Sequence, residues 1–245
     1  MLKKNVEVFG EDAIKLGGYA YTVSDRLSTH LSNERTTRGL AEIIDLKGKT
    51  VLDVGCGDGF FTAALLDFKP EKIVAIDPSE GSIEVARQKN LPNVTFEVAD
   101  LYRLTPEDYG VFDVVVLRGV IHHVSDAALA CATVCKLGRE IIGMEPNGAN
   151  PVLKVIEKTS RYHIEHEEKS YLPSTLDRYF MSGGAKKIRG NLINLVPIFS
   201  PDWMASLCRF FEPFVEAIPG LRLIGCGQYI FRYRTDLGLN EEKEL

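Results

Sequence analysis

The sequence predicts an α/β protein whose core is an open, doubly wound sheet of mostly parallel strands. From about residue 48 to 145, short β-branched runs alternate with segments of helical spacing. The runs are nearly continuous in apolar residues, which is typical of parallel strands covered by helices on both faces. A glycine-rich turn follows the first run, at the edge where such sheets bind ligands.

The elements follow one another in a simple order. Predicted strands cover 50–54, 72–76, 94–98, 111–117 and 139–145. Predicted helices cover 60–68, 82–90 and 125–134, and Ser125 is expected to cap the last of them. A helix over 24–44 precedes this core, and an amphipathic helix over 201–217 follows it. A run around 229–233 has strand character, and we expect it to close the sheet as an antiparallel strand.

These elements divide the chain into four parts. Residues 1–47 form an N-terminal helical lid segment, and 48–145 form the ligand-binding core. Residues 146–200 are rich in charge and aromatics and are interpreted as a helical cap that sets substrate specificity. Residues 201–245 supply the C-terminal helix and the closing strand.

Composition narrows the classes of function. The chain has 245 residues, 45% of them hydrophobic, which is enough to bury a sizeable core. A net charge of −5 argues against a nucleic-acid partner, and no apolar run is long enough to span a bilayer. The five cysteines include no Cys-x-x-Cys pair, so we expect reduced thiols and a cytoplasmic location.

The turn after the first strand holds glycines at alternate positions: Gly55, Gly57 and Gly59. Glycines there allow a sharp turn and a close approach of ligand to backbone. A dinucleotide fingerprint would need glycine at position 60, where this chain has Phe60. Asp53 and Asp58 would repel a pyrophosphate but attract a ligand that carries sulfonium and ammonium charges.

The run 51–59 resembles the first motif of class I S-adenosylmethionine-dependent methyltransferases, in particular their small-molecule, type 11-like branch. The resemblance extends over 48–145 and implies a Rossmann-like fold with S-adenosylmethionine as cofactor. It implies that Asp77 binds the ribose hydroxyls, that Asp100 contacts the adenine amino group, and that 112–118 borders the methionine end. The cofactor residues that it implies are Asp53, Gly55, Cys56, Gly57, Gly59, Asp77, Pro78, Asp100, Leu101 and Arg118, with Tyr21 in an aromatic lid.

Methyl transfer needs a general base only when the nucleophile must lose a proton. His122 and His123 follow the fourth strand and Glu145 ends the fifth, so all three are candidate catalytic residues at the correct edge. Each has an alternative structural role: a histidine bonded to nearby backbone, or a glutamate that caps the next turn. His163 and His166 resemble metal ligands, but their spacing favours a solvated helix face, and no metal is predicted.

The leading hypothesis is therefore a methyltransferase for a small molecule, such as a sugar, a lipid-linked compound or a quinone-like compound. The atom that receives the methyl group stays open among oxygen, nitrogen and carbon. An NAD(P)-dependent oxidoreductase is the first alternative, against which Phe60 counts, and a non-catalytic S-adenosylmethionine-binding protein is the second. The apolar stretch 192–199, with Trp203 and Met204, is compatible with an apolar pocket or with contact to a membrane-borne substrate. Core packing or the contact of a homodimer is favoured over both.

Overall fold

The computed structural model describes residues 3–159 and 169–237, with side chains from residue 6 onward. These residues contain a seven-stranded sheet. Its strands are β1 (Thr50–Val54), β2 (Lys72–Asp77), β3 (Val94–Val98), β4 (Phe112–Arg118), β5 (Gly138–Pro146), β6 (Ala185–Ile193) and β7 (Gln228–Thr235).

The strand order is β3-β2-β1-β4-β5-β7-β6, and β1 to β5 are parallel. β7 runs antiparallel to both β5 and β6. The predicted Rossmann-like fold with an antiparallel C-terminal strand is thus confirmed. Strand order reverses between β1 and β4, so the carboxyl ends of these two strands border the crevice in which such sheets bind ligands.

Helices cover both faces of the sheet in the part of the chain that the structure describes. They are α1 (Lys3–Leu16), α2 (Leu27–Ala41), α3 (Phe60–Leu65), α4 (Glu80–Gln88), α5 (Pro106–Tyr109), α6 (Ala127–Val134), α7 (Pro151–Thr159), α8 (Pro173–Ser182), α9 (Asp202–Ala217) and α10 (Pro219–Gly225). Alternate residues of β4 enter two separate apolar clusters. Val115 and Leu117 pack with α6 and α8, whereas Val114 and Val116 pack on the opposite side.

Two local predictions differ from the structure. The N-cap of α6 is Asp126 and not Ser125, because the Asp126 carboxylate accepts the N–H of Leu129 at 2.9 Å. The range 146–200, predicted as a cap, contains β6, which is the outer strand of the main sheet. Its charged residues, among them Lys186 and Lys187, are exposed on that edge, where charge discourages pairing with another chain.

Two histidines that resemble metal ligands in the sequence, His163 and His166, lie outside the described residues. Within 3–159 and 169–237, no group of three or more His, Cys, Asp or Glu side chains is arranged to hold a metal ion. None of the helices in those ranges is both long enough and apolar enough to cross a membrane.

Candidate active site

The turn after β1 requires glycine at each alternate position. Gly55, Gly57 and Gly59 have φ angles of +72°, +54° and +73°, a region that L side chains rarely adopt. A Cβ on Gly55 would lie 2.6 Å from Val120 Cγ2, and one on Gly57 would lie 2.4 Å from Tyr19 Cε2. The turn is therefore closely packed from both sides.

Asp77, at the end of β2, is fixed by backbone donors next to this turn. Its Oδ2 accepts the N–H of Gly57 at 3.0 Å, and its Oδ1 accepts the N–H of Ser79 at 2.8 Å. Burial raises the pKa of Asp77 to about 6, and these two hydrogen bonds only partly oppose the shift. The side chain is thus a buried, rigidly held hydrogen-bond acceptor at the switch point of the sheet.

Beside Asp77 lies a shallow depression with largely apolar walls. Its lining residues are Val54, Gly55, Ile76, Pro78, Ala99, Asp100, Leu101, Val120 and Val124. Asp100 lies at its edge and accepts the N–H of Tyr102 at 3.1 Å, so it also caps the short helical turn that contains Leu101. Apolar walls flanked by carboxylates match a nucleoside with a cationic tail, so these residues fit S-adenosylmethionine.

The segment after α1 lies over the glycine turn. Asp58 Oδ2 accepts the N–H of Tyr19 at 3.1 Å and the hydroxyl of Thr22 at 2.5 Å. The Tyr19 hydroxyl lies 2.8 Å from Ser82 Oγ at the start of α4. The sequence indicated the charge of Asp58 but not these hydrogen bonds, because Asp58 is 39 residues from Tyr19 and 36 from Thr22.

A stack of three side chains continues this cover towards β4. The Tyr21 ring lies nearly parallel to Phe61, 6.3 Å between centroids, and the Arg118 guanidinium carbon lies 3.3 Å from the Phe61 centroid. Arg118 also donates to Thr37 Oγ1 at 2.8 Å. Burial lowers the pKa of Arg118 to about 9. Phe61 carried no sequence signal, because an aromatic residue early in a helix usually indicates core packing.

Asp53 lies beneath the turn, at the carboxyl end of β1. Its Oδ2 accepts the hydroxyl of Thr62 at 2.7 Å, and burial raises its pKa to about 6. Burial also raises the pKa of the Cys56 thiol, which keeps Cys56 neutral and apolar in character. Asp53 thus places one buried carboxyl group next to the glycine turn, where the sequence predicts a cationic ligand.

Glu145 has a specific role at the end of β5. It is fully buried, and its Oε1 accepts the N–H groups of Val120 and Ile121 at 2.8 and 2.7 Å. Its Oε2 accepts the N–H of His122 at 3.2 Å and lies 2.7 Å from His122 Nδ1. Glu145 therefore shapes the loop after β4 and orients the His122 ring, and these bonds bring the two candidate residues together.

The neighbouring His123 has different surroundings. Its ring lies 3.8 Å from the His122 ring and packs edge-on against Phe9 of α1, with 5.1 Å between centroids. The 2.7 Å contact with Glu145 Oε2 is made by His122 Nδ1. The structure thus separates two histidines that the sequence could not distinguish.

The raised pKa of Asp53 predicts a pH-dependent effect of the Asp53→Asn substitution on stability. Unfolded, Asp53 ionises near 3.8, but folded it keeps its proton up to about 6. Between these values the unfolded chain binds fewer protons, so ionisation of Asp53 lowers stability as the pH rises, by about 3 kcal/mol. The asparagine variant lacks this contribution and can still accept the Thr62 hydroxyl. In urea titrations from pH 4 to 7, the unfolding free energy of the variant should rise by about 2 kcal/mol relative to that of the wild type. A difference that stays constant with pH would contradict the buried carboxyl.

Comparisons with known proteins agree on one family. Residues 51–138 match the model of a methyltransferase domain. A ubiquinone biosynthesis O-methyltransferase of Coxiella burnetii (strain Dugway 5J108-111) is 30% identical over 176 residues, which are 64% of this chain and 72% of the relative. One of the same description from Acinetobacter baumannii (strain AYE) is 29% identical over 179 residues, 65% and 73% of the two chains.

Solved structures share the fold. The N-methyltransferase NodS of Bradyrhizobium japonicum WM9, in complex with S-adenosylhomocysteine, superposes with a TM-score of 0.62 at 13% identity, over 95% of this chain and 99% of that one. The magnesium protoporphyrin IX methyltransferase of Synechocystis PCC 6803 with bound S-adenosylmethionine gives 0.61 at 14% identity, over 96% and 99%. The chain therefore belongs to the class I S-adenosylmethionine-dependent methyltransferases, and S-adenosylmethionine is its cofactor.

Proposed function

We propose that this enzyme methylates a hydroxyl group of a small aromatic acceptor, with His122 as the general base. The observation that carries the proposal is the 2.7 Å contact between Glu145 Oε2 and His122 Nδ1 at the carboxyl end of the sheet. A hydroxyl must lose its proton as it attacks carbon, whereas many nitrogen nucleophiles attack without a base. A base held in place by a buried carboxylate thus favours oxygen as the methylated atom.

Glu145 sets the tautomer of this base. A carboxylate only accepts hydrogen bonds, so it selects the imidazole form with the proton on Nδ1. The lone pair then lies on Nε2, which is the nitrogen that would take the proton from the acceptor hydroxyl. Three backbone N–H groups of the same loop also donate to Glu145, so its carboxylate is fixed in place and its hydrogen bond to Nδ1 holds the ring.

The cofactor supplies an electrophilic methyl group on a sulfonium when it is bound. Asp77 would accept hydrogen bonds from its ribose hydroxyls, and Asp100 would accept one from its adenine amino group. Asp53 favours the positive charge of the ligand, and Arg118 would hold its carboxylate. The Tyr19–Tyr21 segment excludes water above the glycine turn.

The class of acceptor is supported by the relatives and by the base. The relatives named above are ubiquinone biosynthesis O-methyltransferases, so a phenol or quinol ring is the acceptor that we propose. A phenolic hydroxyl is acidic enough for a histidine base near neutral pH. We also place the enzyme in the cytoplasm, because all five of its cysteines are free thiols.

The test is a methyl-transfer assay with labelled S-adenosylmethionine and matched pairs of acceptors. Catechols and hydroxybenzoates are compared with the anilines that carry an amino group at the same position, and with a simple sugar. We expect label on the hydroxyl compounds and none on the matched anilines. Label on the amine or on a ring carbon alone would overturn the oxygen assignment.

A further inference from the structure

An apolar face is exposed along α9. Its members are Trp203, Leu207, Phe210, Phe211 and Phe214, which are between 47% and 77% exposed. Trp203, Leu207, Phe210 and Phe214 follow one another at intervals of four, three and four residues, so they form one stripe on the helix. Below, these five residues are called the α9 face.

The opposite side of α9 is held against the rest of the protein by hydrogen bonds. Arg35 of α2 binds Glu216 through two hydrogen bonds, of 3.0 and 2.7 Å. Glu212 is buried and accepts the N–H of Leu195 at 3.0 Å. These contacts fix the rotation of α9 about its axis. The exposure of the α9 face therefore follows from the packing of the helix and not from a loose attachment.

The α9 face is as large as one half of a stable dimer interface. With about 200 Å² for each aromatic side chain, its residues expose on the order of 600 Å². Leu221 and Ile224 of α10, which packs against α9, are 39% and 51% exposed and bring the apolar area to about 800 Å². A standard interface buries about 800 Å² on each partner, whereas the largest patch on a monomer is usually about 300–600 Å².

The charge around the α9 face argues against an anionic membrane as its occupant. Residues 195–225 contain three acidic residues, Asp202, Glu212 and Glu216, and two basic ones, Arg209 and Arg222. Arg209 pairs with Glu212, and Arg222 donates to Asn191 at 2.8 Å. Surfaces that bind anionic lipid carry an excess of free basic residues. A second copy of the same weakly charged face imposes no such requirement.

We propose that two copies of this chain associate through the α9 face to form a twofold-symmetric dimer. In such an arrangement the same patch is used on both subunits, so the aromatic stripe of one α9 packs against that of the other. Aromatic side chains at the centre of an interface usually contribute most of its binding energy. Phe210 is central in the stripe and 77% exposed, so it is the residue on which the dimer depends most. The proposal is independent of the acceptor proposed above.

The test is sedimentation velocity of the wild type and of Phe210→Glu and Phe214→Glu, each over a range of concentrations. We expect a wild-type dimer and a rise of about 30-fold or more in its dissociation constant in each variant. Met181→Glu is the matched control: Met181 is 58% exposed on α8, so this variant should stay dimeric. Unchanged binding of S-adenosylhomocysteine shows that the glutamate variants are folded.

Two outcomes would overturn the proposal. A wild type that is monomeric at a protein concentration on the order of 100 μM would exclude a stable dimer through an interface of this size. Flotation of that monomer with phosphatidylcholine vesicles, abolished by Phe210→Glu, would assign the face to a lipid surface. A dimer that both glutamate variants preserve would place the interface elsewhere on the molecule.

Discussion

The His122→Asn variant is expected to lose catalytic turnover by about 100-fold or more while keeping its affinity for S-adenosylhomocysteine. Asparagine places an amide nitrogen near the position of Nδ1, so it can still donate to Glu145. It has no counterpart of Nε2 and no basic lone pair, so it cannot take a proton from the acceptor. The substitution therefore removes the proposed chemistry and leaves most of the local geometry in place.

The measurement is steady-state turnover with an acceptor found in the paired assay, together with calorimetric titration of S-adenosylhomocysteine. His123→Asn is the control, since His123 packs against Phe9 and the His122 ring, whereas the 2.7 Å contact with Glu145 Oε2 is made by His122 Nδ1. We expect His123→Asn to change turnover by no more than about threefold, within the effect of an altered packing contact. Equal losses in both variants, or full turnover in His122→Asn, would reject His122 as the base.

For His122, His123 and Glu145, the sequence predicts a common edge of the sheet but not the hydrogen bonds that distinguish the two histidines. The order of strands and helices places residues 122, 123 and 145 at one edge, because parallel strands end together. The sequence left two roles open for Glu145, contact with substrate or capping of the next turn. In the structure it instead accepts three backbone N–H groups from the loop after β4. Such a role depends on atoms 23 to 25 residues away, which no local pattern encodes.

The strands of the sheet also differ in whether local sequence or contact with a distant segment decides their structure. β1 and β3 begin and end at the predicted residues, since each is a short run rich in β-branched residues between turn-forming residues. β6 was missed because an exposed edge strand with Lys186, Lys187 and Arg189 lacks an apolar pattern. Its pairing with β7 decides its structure, and that partner lies about 40 residues later. Tertiary contact, and not propensity, forms this strand.

Replacement of Asp77 by alanine is expected to weaken S-adenosylhomocysteine binding by about 100-fold or more, because two hydrogen bonds to a charged acceptor are each worth about 1.5–3 kcal/mol. The wild type should also bind about tenfold more weakly at pH 5 than above pH 7, since the pKa of Asp77 is about 6 and the ionised form is the better acceptor.

Calorimetry from pH 5 to 8 measures both effects, with Asp67→Ala, a change at an exposed residue of the same type, as the control. Asp77→Ala should lose the pH dependence as well as the affinity. This second readout matters because Asp77 also holds the backbone of Gly57 and Ser79, so a purely structural role would weaken binding at every pH alike. Weakened binding that keeps the wild-type slope against pH would assign the titration to another group. Unchanged affinity in a folded Asp77→Ala protein would remove Asp77 from the cofactor site.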